Sequence, residues 1–302
     1  MSIREFLVLL MICTIWGLHF TVMKAVIDAG IPPLAYAATR MALVALVMLP
    51  WLKWHTGQMR WVLIAGLGFG AFNYAFMFPA LQFTTASASA VAIELYVPFS
   101  VILGALFLAD RPGWRRLAGM ALAFAGVMVI ASGKVDAGIA PNHALGLVLI
   151  ACGAMSEAVG ALGVKKIQGV TPRQLLAWFA LIGTVVLTPL TLALEPGGYT
   201  RALADPALLA AAMLYTALGV SIIAHGSYYW LLQRLPLSTV APSGLLTTVI
   251  GVAGAVLILG EDFTPELGAG MLMVLAGVGV VLWRQTAKGG TSAREVDAAP
   301  ET

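Results

Sequence analysis

Charge is scarce in this chain. Only 10% of its 302 residues are Asp, Glu, Lys or Arg, while 60% are hydrophobic, and that balance excludes a soluble protein. Cysteine is scarcer still. Cys13 and Cys152 both lie inside apolar runs, and no Cys/His metal-ligand spacing exists. A disulfide framework and a metal centre are thereby excluded, and both thiols read as packing residues. The chain also lacks a Walker-type phosphate loop, a His-Glu-x-x-His pair, a Gly-x-Ser-x-Gly elbow and an acidic pair at catalytic spacing. ATP drive is left without its phosphate loop, and the alternative of a different class, a membrane-embedded lipid-modifying enzyme, without clustered catalytic groups. The expectation is a protein that is not an enzyme and uses no cofactor. A net charge of +3, scattered along the chain, gives no basis for a nucleic-acid partner.

What is present is a series of apolar runs near the length that crosses a hydrocarbon core of about 30 Å. Ten spans are predicted: 5–28, 33–52, 60–81, 84–109, 114–132, 144–164, 173–194, 207–232, 236–260 and 265–283. Breaks fall at Gly30-Ile31-Pro32-Pro33, Asp110-Arg111-Pro112-Gly113, Glu195-Pro196-Gly197-Gly198 and Asp262-Phe263-Thr264-Pro265. Arg4 precedes the first run without a small-residue cleavage site, so that run reads as a retained helix. The longest connection, 133–143, joins two halves, 5–132 and 144–283. The polar tail 284–302 reads as disordered.

With the N-terminus in the cytoplasm, thirteen Lys and Arg residues fall on the cytoplasmic side and two, Lys134 and Arg201, outside. That bias places both termini in the cytoplasm and the 133–143 linker in the periplasm. The halves repeat each other. Residues 66–130 and 217–281 align with a constant offset of 151, matching Leu81-Gln82 with Leu232-Gln233, Ser87 with Ser238, and Gly119-Met120 with Gly270-Met271. In the second and seventh spans, Pro33 and Pro50 match Pro172 and Pro189 in spacing. Because each half has an odd number of spans, the second enters the membrane from the opposite side. The fold class is therefore an all-α polytopic membrane protein, with ten transmembrane helices in two inverted five-helix repeats around a central cavity. That arrangement suits alternating access to a site between the halves. It argues against a passive structural subunit, and ten helices enclose a cavity without a partner, so a monomer is expected.

Polar side chains deep in a membrane are costly, so each has two readings. Glu94 lies near mid-depth in the fourth span with no Lys or Arg within four residues. It either recognises a substrate amine or carries a coupled proton, or else is a neutral carboxyl bonded to a neighbour. Glu157, in the sixth span, either faces the cavity or snorkels toward the cytoplasm. Trp16 is the deep tryptophan, for ring or cation stacking or for packing. His19 and His225 are proton relays or helix-contact histidines. Asn73 and Tyr74, with Tyr228, Tyr229 and Trp230, form either a cavity wall or, for the last three, an interfacial belt. Lys24 and Asp28, four apart, form a local pair. Arg40 either pairs with Asp28 near the outer mouth or binds a substrate carboxylate. Pro98 kinks the fourth span, beside Ser87, Ser89 and Ser100. In the ninth, Ser243, Gly244, Thr247, Thr248 and Gly251 make one small, polar face.

Several motifs occur together. They are Trp16-Gly17, Phe20, Lys24, Pro32-Pro33 and Arg40; then Pro98, Gly119 and Ala125-Gly126-Val127; then Leu259-Gly260-Glu261, Gly270 and Ala276-Gly277-Val278. In this order, on an inverted repeat, the chain resembles the drug/metabolite transporter superfamily and its EamA-type ten-helix exporters. The resemblance is strongest to bacterial aromatic amino-acid exporters. It implies an inner-membrane exporter or facilitator of small metabolites, with amino acids as cargo, protons as a coupling ion and lipids as surroundings. A cationic drug or another metabolite is the alternative cargo. Three positions depart from the pattern: Asp110 replaces Glu, Val249 stands where the first repeat has Pro98, and Glu157 stands where a tryptophan is frequent.

Overall fold

A computed structural model describes residues 2–107, 112–133, 140–232, 234–235 and 243–297, and no strand occurs among them. Helix α1 spans Ile3–Asp28 and opens on a capping box, in which Ser2 and Glu5 each accept the other's backbone N–H. Helices α2 (Pro33–Trp51, ending in a 3-10 turn) and α7 (Pro172–Leu194) both start on proline, where the missing N–H costs nothing. The others are α3 (Met59–Ala80), α4 (Ala86–Phe107), α5 (Trp114–Ala131) and α6 (His143–Lys165). Helix α8 starts at Pro206 and reaches Leu232, α9 is Ser243–Leu259, and α10 is Pro265–Asp297.

Nine of these helices are long and apolar enough to cross a membrane. Helix α9 is shorter, at 17 residues, about 25 Å at 1.5 Å per residue. Its expected first residues, 236–242, lie outside the described set, as does Asp110. Helix α10 continues to Asp297, over part of the polar stretch that follows residue 283.

The helices pair in a way that survives exchange of the two halves. Helix α5 packs on α10 and α2 on α7, each a pair of repeat partners. The contact of α1 with α9 has its counterpart in that of α6 with α4. At the α5–α10 crossing glycines carry the contact. A Cβ added to Gly119 would lie 2.7 Å from the Gly277 carbonyl oxygen, and one on Gly126 would lie 2.7 Å from that of Gly270. The repeat offset pairs Gly119 with Gly270 and Gly126 with Gly277, so the two contacts are equivalent. Backbones this close gain dispersion contacts that side chains would forbid.

Two carboxylates join the halves at one end of the bundle. Glu195, at the end of α7, accepts from the backbone N–H of Leu34 (2.9 Å) and Ala35 (2.9 Å) at the start of α2. Glu261, after α9, accepts from Ala86 N–H (2.6 Å) and Ser87 N–H (2.9 Å) at the start of α4. Gly260 stands between α9 and Glu261 in the left-handed conformation (φ 71°), which only glycine adopts freely, and this turns the carboxylate back. Each carboxylate satisfies two orphan donors and sits at the positive end of a helix.

Glu261→Gln should lower stability by about 1–2 kcal/mol, because an amide offers one acceptor oxygen and no charge. Gly126→Val should be worse, since a branched side chain cannot fit against backbone. Thermal unfolding midpoints in detergent check both. An unchanged midpoint for Gly126→Val would mean that the crossing is not close-packed.

Candidate functional site

Pro98 shapes the middle of α4. Proline has no N–H to return to the carbonyl of Glu94, four residues earlier, and its ring crowds that carbonyl. The helix tightens there into a 3-10 turn, Ile93–Leu95, and resumes at Tyr96. The break turns Glu94 toward α9, where its carboxyl Oε1 accepts the Thr248 hydroxyl at 2.6 Å. Helix α9, with Val249 in place of proline, runs unbroken through Ser243–Leu259.

A second carboxyl lies across the bundle. Glu157 Oε2 accepts from the Asn73 amide at 3.4 Å, and the same amide nitrogen donates to the Gly153 carbonyl at 3.1 Å. Asn73 follows a π-helical stretch in α3, Leu67–Phe72. A second π stretch, Leu214–Ala224, interrupts α8, and the repeat offset lays the first inside the second. Such bulges widen a helix by one residue per turn and recur at functional sites. Glu94 lies on α4 and Glu157 on α6, two helices that pack on each other. Both side chains are only partly buried. Neither has a cationic partner: among the described residues the one acid–base ion pair is Lys24–Asp28, at 2.8 Å.

Trp16 lies in a small aromatic group. Its ring is 5.0 Å from that of His225 and 5.1 Å from that of Tyr228, both on α8. His225 Nδ1 is 2.8 Å from the Val220 carbonyl, five residues earlier in the π stretch. Tyr228 thus faces Trp16. Trp230 meets the charged end of the bundle instead, under Arg234 (4.2 Å) and Arg4 (5.5 Å). The side chains of Tyr229 and Trp283 lie outside the described set.

Arg40 corrects one expectation. It does not pair with Asp28, which is exposed at the end of α1 and taken by Lys24. Arg40 lies deeper, 1% exposed. Its guanidinium meets His19 Nε2 at 2.9 Å and donates to the Ser221 hydroxyl at 3.1 Å, with the Tyr74 ring 4.9 Å away. The expected polar face of α9 divides. Thr248 serves Glu94, but Thr247 donates to the Ser243 carbonyl (3.0 Å) in its own helix, and that carbonyl also accepts from Cys13 Sγ (3.5 Å). The Ser243 carbonyl thus joins α9 to Cys13 on α1. Sequence reasoning did not single out Ser221. The repeat held a signal for it, because its counterpart is Gly70, so a hydroxyl stands where the other half keeps only hydrogen.

These residues come from seven helices: α1, α2, α3, α4, α6, α8 and α9. A separate hollow of about 430 Å³ lies at the end bearing Glu195, lined by Ile31, Gln82, Glu195 and Arg201 among others. None of the deep polar residues lines it.

Comparison with known proteins gives two matches within one chain. The EamA-like transporter family matches residues 3–132 and again 144–283. A protein of Salmonella typhimurium named probable amino-acid metabolite efflux pump is 31% identical over 287 residues, 92% of this chain and 94% of that protein. An Escherichia coli protein of the same name is 28% identical over 305 residues, 96% of this chain and all of the other. A probable terminal-alkyne amino-acid exporter of Streptantibioticus cattleyicolor is 30% identical over 194 residues, 64% of this chain and 63% of that one. A solved crystal structure superposes with a TM-score of 0.58 at 16% identity, covering 93% of this chain and 96% of its own, a likeness of fold alone.

Thr248→Val should destabilise the protein by about 1–3 kcal/mol, because the Glu94 carboxyl loses its hydroxyl donor in a site with no replacement. Combined with Glu94→Leu, the cost should fall well below the sum of the single changes. A double-mutant cycle on unfolding midpoints tests this, and strict additivity would show that the two groups do not interact.

Proposed function

The chain belongs to the EamA-like transporter family, and on that premise we propose that it exports amino acids and related small metabolites. It is a multi-pass membrane protein and a transporter, not an enzyme. The single observation behind the cargo is the pair of deep carboxyls without a cation, Glu94 and Glu157. An anionic site of this kind is completed by a cationic group on the cargo. An α-ammonium supplies that charge, with Glu94 as its first contact. The names of the relatives, amino-acid efflux pumps and an amino-acid exporter, support the same reading.

The route is alternating access between two inverted five-helix halves, with α9 counted as the tenth span. The protein sits in a bacterial inner membrane with both termini cytoplasmic, surrounded by lipid and acting as a monomer. Trp16, His225 and Tyr228 give one wall of the site an aromatic face, which favours aromatic or large neutral side chains. A proton on Glu94 or Glu157 would replace the cargo's charge during the return step, so proton exchange is the coupling that fits the site.

The same carboxyls favour one other cargo, a cationic compound with no carboxylate. Uptake by proteoliposomes separates the two. Labelled Phe, Trp, Thr and Met are offered with and without a pH gradient. Saturable uptake of amino acids is expected, accelerated by the gradient, with Glu94→Gln lowering it by about tenfold or more while the fold is kept. Transport of organic cations alone would establish the other cargo. Unchanged rate and pH profile in folded Glu94→Gln would remove that residue from the mechanism.

A further inference from the structure

We propose that Arg40, with His19 and Trp16, forms a subsite for the carboxylate of the cargo, at the opposite pole from the two glutamates. This rests on reading the chain as an amino-acid exporter and names the residues that would read the cargo's acid end.

The observations start with charge. Arg40 is 1% exposed and has no acidic partner. Its described partners are an imidazole nitrogen, a hydroxyl and an aromatic face, all neutral. Among the described residues no carboxylate lies within hydrogen-bond or ion-pair distance of it. A guanidinium stays charged at any working pH, so burying it without an anion is expensive. A buried guanidinium among neutral partners is completed by an anion.

The hydrogen-bond inventory shows what kind of anion. Arg40 donates to His19 Nε2, which fixes the imidazole proton on Nδ1. That nitrogen is buried without an acceptor. So are Arg40 Nε and Trp16 Nε1. Three buried N–H donors thus stand without acceptors among the described residues: one on the guanidinium itself, one on the imidazole bonded to it, and one on Trp16 of the same helix as that imidazole. Trp16 and His19 are three residues apart on α1 and share a face. The common need of these groups is acceptor oxygens carrying negative charge, which a carboxylate brings in a planar pair that suits a guanidinium fork.

Tyr74 links this subsite to the acidic one. Its ring covers the Arg40 guanidinium and is itself only partly buried. It follows Asn73, the partner of Glu157, in α3. Movement of Tyr74 would uncover the guanidinium, and a zwitterion held between Arg40 and the glutamates would satisfy both poles. A purely cationic cargo leaves the donors at Arg40 empty.

The test compares phenylalanine with phenylalanine amide, at a pH where both carry the ammonium group, as competitors of labelled phenylalanine uptake by proteoliposomes. The wild type should prefer the acid by about tenfold or more, as sites built around a polar group reject analogues that lack it. Arg40→Gln should weaken the acid, leave the amide nearly unchanged and erase the preference. Should Arg40→Gln fail to fold, Arg40→Lys carries the test: it keeps the charge but loses the fork, so preference for the acid should shrink several-fold. Equal affinity for acid and amide in the wild type overturns the subsite and leaves amino-acid export standing. So does an undiminished preference in a folded Arg40 variant. Uptake of no amino acid at all overturns the export reading, and the subsite with it.

Discussion

A charge inside hydrocarbon must find its partner within the bundle, and the architecture follows from that constraint. The backbone meets it by being helical. Helix ends meet it at one face of the bundle through Glu195 and Glu261, each holding two backbone donors of a helix from the other half. Lys24 meets it with Asp28. Among the described residues, Arg40, Glu94 and Glu157 have the neutral partners His19 and Ser221, Thr248, and Asn73. Their isolation is the feature on which the proposed transport site rests.

The near-symmetry of the halves makes this isolation informative. Where the α2–α8 contact has Arg40 bonded to Ser221, the corresponding α7–α3 contact has Phe179 and Gly70. The proline match that pairs Pro33 with Pro172 also pairs Arg40 with Phe179, and the repeat offset pairs Ser221 with Gly70. One contact is polar and the other is close backbone packing. Glu94 has Leu245 as its counterpart, and Tyr74 has His225. The scaffold is duplicated, but the polar groups are not. The copies could diverge because close packing at Gly119–Gly277 and Gly126–Gly270 holds the halves together without help from the site.

Much of the fold was legible because the membrane imposes it. Apolar run length located the helices, and glycine and proline located most breaks. The effect of Pro98 on α4 could be read from the missing N–H, and the Lys24–Asp28 pair from its spacing. Less of the site was legible. Glu94 and Glu157 stood out as acids in apolar surroundings, yet their partners Thr248 and Asn73 are long-range contacts that no local pattern fixes. Arg40 was singled out but given the wrong neighbour as one option, since sequence distance put Asp28 near while α1 and Lys24 took that carboxylate away. The roles of Glu195 and Glu261 were hidden for the same reason: both sit in loops, and their targets lie over 150 residues away in the chain.

The contacts at the bundle end and those in its middle share helices. Helix α2 carries both the end held by Glu195 and Arg40. Helix α4 carries both the end held by Glu261 and Glu94. In each case the deep residue's own partner belongs to the other half, Ser221 on α8 and Thr248 on α9. A helix is stiff over so short a distance, so α2 and α4 cannot swing away from Glu195 and Glu261 while their deep residues stay in place. Separation of the halves at that end therefore pulls on the Arg40–Ser221 and Glu94–Thr248 bonds. A cargo that replaces those bonds with stronger, charge-assisted ones lowers the cost of the separated state. Coupling between occupancy of the proposed site and opening of the end then needs no signal beyond the helical turns of α2 and α4 shared by both.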